Sequence, residues 1–226
     1  MTGRPRLSII IPTLNAAGDL PAVLAALDPG DEVIVVDGGS TDGGPALARS
    51  LGAIVLDSPP GRGGQLATGA EAATADWWLF LHADTVPAPG WRDTVDRHIQ
   101  APNGARTAAF FRFRLDDPSV QARRLERLVA ARVTLFRLPY GDQGLLIHRD
   151  LYRTVGGYRR LPLMEDVDLV WRLGRSRLTQ LDIAATTSAR RWRQDGWLRR
   201  SALNLLCLAL FRLGTPTPLI ARLYGR

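Results

Sequence analysis

A chain of 226 residues, 46% hydrophobic and 23% charged, has the makeup of one folded α/β domain with at most an appendage, which excludes a disordered chain. Its charge is unevenly placed: residues 1–113 hold 8 Arg against 12 carboxylates, a net of −4, and residues 114–226 hold 21 Arg against 10, a net of +11. All 29 basic residues are Arg, and a basic half suits nucleic acid, phosphates or anionic lipid without choosing among them.

Met1 to Arg6 is polar and basic, and the apolar run Leu7 to Pro12 is too short for a signal core. The single cysteine, Cys207, cannot pair within the chain and lies in an apolar run, where packing explains it. Both features predict a cytoplasmic protein. Leu7–Ile11 reads as a first strand closed by Pro12, with Thr13-Leu14-Asn15 as its turn. Asp19 and Pro21 start a helix that runs to about Leu27. Four β-branched residues, Val33 to Val36, then form a strand buried on both faces and ending at Asp37. Gly38 and Gly39 turn the chain, and Ser40 or Thr41 is expected to cap a helix reaching Gly52.

Ala53–Leu56 is a third strand, followed by a breaker-rich loop, Asp57 to Gly64. A small-residue helix, Gln65–Ala73, leads to the strand Trp77–Leu81. This alternation predicts a doubly wound, mostly parallel sheet. Ligands bind such sheets at the carboxyl ends of the strands, where Asp37 and Asp84 both fall. Two acids on one rim repel a phosphate unless a divalent cation intervenes, and oxygen ligands suit Mg²⁺ or Mn²⁺. His82, beside them, is either a hydrogen-bonded structural residue or a further metal ligand.

A helix over Trp91–Gln100 and a strand over Thr107–Leu115 follow. Ser119–Arg137 reads as a basic amphipathic helix, with Leu125, Leu128, Val129, Leu135 and Phe136 on its apolar side. Pro139 to Gly144 is a turn before a short strand, Leu145–Ile147. Glu165 and Asp166 open a helix reaching Leu173, where carboxylates also suit the helix dipole. Trp197–Leu213 is almost wholly apolar between Arg200 and Arg212, yet too short for the roughly 20 residues of a spanning helix. It suits a helix lying in a membrane interface, or one packed on the domain.

In order along the chain stand Pro12-Thr13-Leu14-Asn15, Val35 to Asp42, Phe80 to Thr85, Gly141-Asp142-Gln143, Gly156-Gly157-Tyr158, Met164 to Val167 and Ser188 to Trp192. Together they resemble the family-2 glycosyltransferases of GT-A fold, and within them a small bacterial subgroup found beside radical-SAM genes. The likeness runs from residue 7 to about 192. It implies a GT-A domain over 1–192, with 1–113 holding the nucleotide sugar and 114–192 the acceptor, and a helical tail over 193–226.

The resemblance implies an inverting transferase that uses a divalent cation and a nucleotide sugar, a UDP-sugar first, on an acceptor hydroxyl. Pro12, Thr13 and Asp37 then hold base and ribose, with Arg62 beside them. Asp84 matches the last acid of the family's Asp-x-Asp element, which binds metal and diphosphate, and Asp166 matches the candidate base. Arg191 and Trp192 match the end of a Gln-x-x-Arg-Trp element that binds donor or acceptor. His82 replaces the first acid of Asp-x-Asp, which makes Mn²⁺ as suitable as Mg²⁺, and Ser188 replaces the Gln, which argues against processive polymer synthesis. The tail and the basic half predict contact with the inner face of the cell membrane and a lipid-linked acceptor. No nucleic-acid partner is expected. A nucleotidyltransferase on a similar sheet, or a non-catalytic nucleotide-sugar-binding protein, is the alternative. Against the first, Pro12-Thr13-Leu14-Asn15 replaces the Gly-rich loop that follows the first strand in such enzymes.

Overall fold

The computed structural model describes residues 6–225. Its first half alternates as the sequence predicts: β1 (Leu7–Thr13), α1 (Leu20–Ala25), β2 (Glu32–Asp37), α2 (Gly44–Ser50), β3 (Ile54–Asp57), α3 (Arg62–Ala72) and β4 (Trp77–Phe80). There follow β5 (Thr85–Pro87), α4 (Trp91–Gln100), β6 (Ala108–Leu115), α5 (Val120–Phe136), a 3-10 turn at Gly141–Gln143, and β7 (Leu145–His148). The remainder is α6 (Arg149–Thr154), α7 (Glu165–Leu173), β8 (Leu178–Thr187), α8 (Arg190–Asp195), α9 (Trp197–Arg212) and α10 (Thr217–Tyr224).

The described strands make one eight-stranded sheet in the order β3-β2-β1-β4-β7-β6-β8-β5. Pairing is parallel from β3 to β4 and between β6 and β8, and antiparallel where β7 and β5 join. The fold is therefore mixed α/β and mostly parallel.

Alternate side chains of the central strands serve opposite faces. Ile10, Ile34, Val36, Trp78 and Phe80 pack under α3, α5 and α7. Ile9, Ile11, Val35, Leu79 and Leu81 pack on the other side with Leu20, Ala48 and Val95. That two-sided burial is why the central strands read as unbroken apolar runs.

Several expectations need correcting. β1 does not stop at Pro12: it runs on to Thr13, which pairs with Asp37. Neither Ser40 nor Thr41 caps α2, which starts behind Gly43 in a left-handed conformation (φ 77°) with no side-chain cap. The two hydroxyls are committed elsewhere, as described below. α3 begins three residues early, at Arg62. On α5 the inward residues are Ala122, Val129 and Val133, whereas Leu128, Leu135 and Phe136 are exposed.

The tail folds back on the domain through one face. Cys207, Ile220 and Ala221 are buried with Leu163, and Phe211 stacks on Trp171 at 5.2 Å. No helix among the described residues is long and apolar enough to cross a membrane.

Candidate active site

The carboxyl ends of β1 and β4 and the starts of α3 and α7 open on one cleft of about 930 Å³. Ligand pockets span roughly 300–1,000 Å³, so this one has room for a nucleotide sugar. Pro12, Thr13, Arg62, Asp84, Asp166, Arg191 and Trp192 all line it. The described structure thus brings together seven of the eight residues singled out in the sequence.

The eighth, Asp37, lies under the floor. It is 4% exposed and spends its oxygens on the turn it ends. Oδ2 accepts from the backbone N–H groups of Gly39 (2.9 Å) and Ser40 (2.8 Å), while Oδ1 accepts from the hydroxyls of Ser40 (2.5 Å) and Thr13 (3.2 Å). Burial pushes this carboxyl up, but the Ser40, Gly39 and Thr13 hydrogen bonds outweigh it and hold the group below its usual range. Ser40 Oγ also accepts from the N–H of Asn15 (2.8 Å), and Asn15 Oδ1 accepts from the N–H of Thr41 (2.9 Å). The two strand-end turns are laced into one rigid rim.

Asp84 is half-buried at the end of β4. Its Oδ1 receives only long contacts, 3.5 Å, from the hydroxyls of Thr85 and Thr187, so its lone pairs are available to a cation. Among the described residues no three His, Cys, Asp or Glu side chains gather closely enough to hold an ion unaided. A single carboxylate fits Mg²⁺ or Mn²⁺ where substrate phosphates complete the shell. His82 lines the cleft two residues away, with its Nε2 only 2.5 Å from where a Cβ on Gly141 would lie.

Asp166 stands in the first turn of α7. Its Oδ2 accepts from the N–H of Gly141 (2.7 Å) and its Oδ1 from the N–H of Val167 (2.8 Å). Arg62 Nη2 lies 3.9 Å from Oδ2. Arg62, set beside base and ribose by the resemblance, lines the cleft with Pro12 and Thr13, and its guanidinium donates to Glu165, whose side chain is wholly buried. Burial pushes the Glu165 carboxyl up, opposed by the guanidinium against it. Arg62 and Glu165, 103 residues apart, tie the start of α3 to the start of α7.

Trp192 packs edge-on against Phe113 (6.4 Å), and its indole N–H, out of solvent, has no partner among the described residues. The tail supplies a wall the sequence did not reveal. Arg200, Asn204, Pro218, Arg222 and Tyr224 line the cleft, and Arg200 donates to the Tyr224 hydroxyl while lying 4.3 Å over its ring. Asp142, which in the sequence competes with Glu165 and Asp166 for the role of base and is explained there by its turn, also lines the cleft. The signal was there in its setting, Gly-Asp-Gln-Gly, where every neighbour is a residue that allows close approach or anchors backbone.

Comparisons with known proteins bear on the family and the fold. The sequence profile of glycosyl transferase family 2 matches residues 8–159. A pre-mycofactocin glycosyltransferase of Mycobacterium tuberculosis is 28% identical over 96% of this chain and 48% of its own, so the chain spans about half the length of that relative. A PGL/p-HBAD biosynthesis glycosyltransferase of Mycobacterium bovis is 32% identical over 73% of this chain and 68% of its own. Among solved structures, glucosyl-3-phosphoglycerate synthase from M. tuberculosis, in complex with Mn²⁺, UDP-glucose and phosphoglyceric acid, superposes with a TM-score of 0.64 at 22% identity, over 95% of this chain and 81% of its own. A mannosyltransferase from Pyrobaculum calidifontis, in complex with GDP-mannose and Mn²⁺, gives 0.64 at 21% identity, over 99% and 70%. At such identities these two speak to the fold alone.

Proposed function

Because the chain belongs to glycosyl transferase family 2, we propose that it transfers a sugar from a nucleotide-diphosphate sugar to an acceptor hydroxyl, with inversion at the anomeric carbon. The observation that carries this reading is that two of the carboxylates lining one cleft stand in different settings: Asp84 with its lone pairs open, and Asp166 clamped by two backbone N–H groups. Transfer needs charge stabilisation where the diphosphate leaves and a base where the acceptor attacks.

Pro12, Thr13 and the rim braced by Asp37 hold base and ribose. Asp84 holds Mg²⁺ or Mn²⁺, which when bound neutralises charge on the departing diphosphate. Arg191, exposed at the cleft and with no carboxylate partner among the described residues, adds positive charge for the same oxygens. Asp166 takes the acceptor proton, with Arg62 fixing the orientation of its carboxylate. A single displacement between these two groups inverts configuration. UDP-sugars are the first donors to test, since the neighbour solved with a nucleotide sugar and an acceptor together holds UDP-glucose. The radical-SAM-associated subgroup belongs to the same proposal, and the pre-mycofactocin relative supports it.

In this reading residues 1–113 carry the donor, 114–192 the acceptor, and 193–226 form the far wall of the cleft and a surface for peripheral membrane contact at the inner face, next to a lipid-linked acceptor. Release of free nucleoside diphosphate from a panel of nucleotide sugars, with Mg²⁺ or Mn²⁺, tests the activity. Asp166→Asn is expected to keep affinity for UDP and lose turnover by at least ~100-fold, the scale for removing a general base. Full turnover in that variant removes Asp166 from the role.

A further inference from the structure

Asp142 is the group that neither the fold nor the proposed chemistry uses. It lies on the cleft wall at the middle of the 3-10 turn, half-buried, with Oδ1 shut off from solvent and without a hydrogen-bond partner among the described residues. An aspartate that served only to form the turn would accept from a backbone N–H two residues on. Here the turn closes without it: the N–H of Gln143 donates to Tyr140 (3.0 Å) and that of Gly144 to Gly141 (3.1 Å).

The backbone on both sides of Asp142 is fixed. A Cβ on Gly141 would lie 2.5 Å from His82 Nε2 and 3.3 Å from Asp166 Oδ2, so the turn presses directly on those two residues. Gln143 is 1% exposed, donates to the carbonyl of Phe111 (3.0 Å) and accepts from Arg132 (3.4 Å). Gly144 has φ 60° and would meet the Phe111 ring and the Phe80 carbonyl if it carried a side chain. The turn therefore holds one acidic side chain in place at the cleft wall.

Asp142 shares the electrostatic field of Asp84 and Asp166, with Arg132 as its principal countercharge. An acceptor left unpaired in such a place costs free energy unless a ligand satisfies it. What lies between the diphosphate and the base in the proposed reaction is the transferred sugar, and adjacent hydroxyls are what a carboxylate with two acceptor oxygens recognises.

We propose that Asp142 accepts hydrogen bonds from hydroxyls of the transferred sugar and sets which sugar the cleft takes. This rests on the donor reading above, which places the sugar there. Calorimetric titration of UDP and of the tightest UDP-sugar from the panel, with Mn²⁺, into the native chain, Asp142→Ala and Asp142→Asn tests it. The ratio of UDP-sugar affinity to UDP affinity is expected to fall about tenfold or more in Asp142→Ala, as for loss of a hydrogen bond to a charged group. In the native chain one deoxy analogue of that sugar should lose a similar factor, and Asp142→Ala should be indifferent to the same deletion. An unchanged ratio, in whichever of the two variants folds, overturns the assignment of Asp142 alone. A native chain that binds neither UDP nor any UDP-sugar overturns the UDP-donor reading and this inference with it.

Discussion

At the scale of single residues, the site is a set of carboxylates separated by environment. Asp37 is braced by hydrogen bonds and Asp166 by backbone donors, whereas Asp142 Oδ1 has no partner among the described residues, and burial pushes the Asp142 carboxyl up to about 6. A folded-state value above the ordinary 3.8 means that the unfolded chain gives up this proton first. Stability contributed by the neutral form is complete at low pH, falls as pH rises from about 4 to about 6, and stays lost above that window. Asp142→Asn cannot ionise, so in chelator-containing buffer it should melt about 2 to 6 °C above the native chain at pH 8. The difference should vanish at pH 3.5, and thermal melts at both pH values decide it. Asp84 and Asp166 were legible in the sequence because a short strand or helix start announces them. The partnership of Arg62 with Glu165 was not, because it depends on a neighbour brought in from 103 residues away.

Among the elements, those buried on both sides were the readable ones. β1, β2 and β4 carry unbroken apolar runs, and α4 starts and stops where its periodicity does. β8 escaped notice because its register against β6 shifts between Phe110 and Arg112, which breaks the alternation a reader looks for. α6 and α8 are six residues each, too short to show a period, and β5 has three. α3 was visible only as a run of small residues, and the packing explains the run. A Cβ on Gly63 would overlap the carbonyl of Arg159 and come within 2.9 Å of the backbone N and O of Leu161. Backbone cannot give way as a side chain can, so Gly63→Ala should lower stability by about 1–3 kcal/mol, read from the urea midpoint at unchanged slope. A midpoint equal to the native one would mean that the loop before α7 yields freely.

Over the whole molecule, charge and apolar surface fall on the same side of the sequence. α9 is apolar on two faces: Cys207 packs inward, while Leu198 (88% exposed) and Leu205 (62%) face out, with Leu213 (82%) just past its end and Arg199 and Arg212 also exposed. Basic residues near anionic lipid contribute about 1 kcal/mol each. Co-sedimentation with phosphatidylserine vesicles should therefore rise with anionic lipid, fall as salt screens it, and weaken in Leu198→Ser/Leu205→Ser. Absence of binding at low salt removes the membrane surface from the proposal. The cleft has a further consequence, which lies in time rather than space. Its walls come from the rim at 12–15, the turn at 141–142, the start of α7 and finally α10. A ribosome releases these segments in that order. Strands β1 to β4 can gather before Asp166 exists, and the wall carrying Arg222 and Tyr224 is made after the other three. In the proposed function, that order would let a growing chain bind its donor before the proposed base at Asp166 is in place.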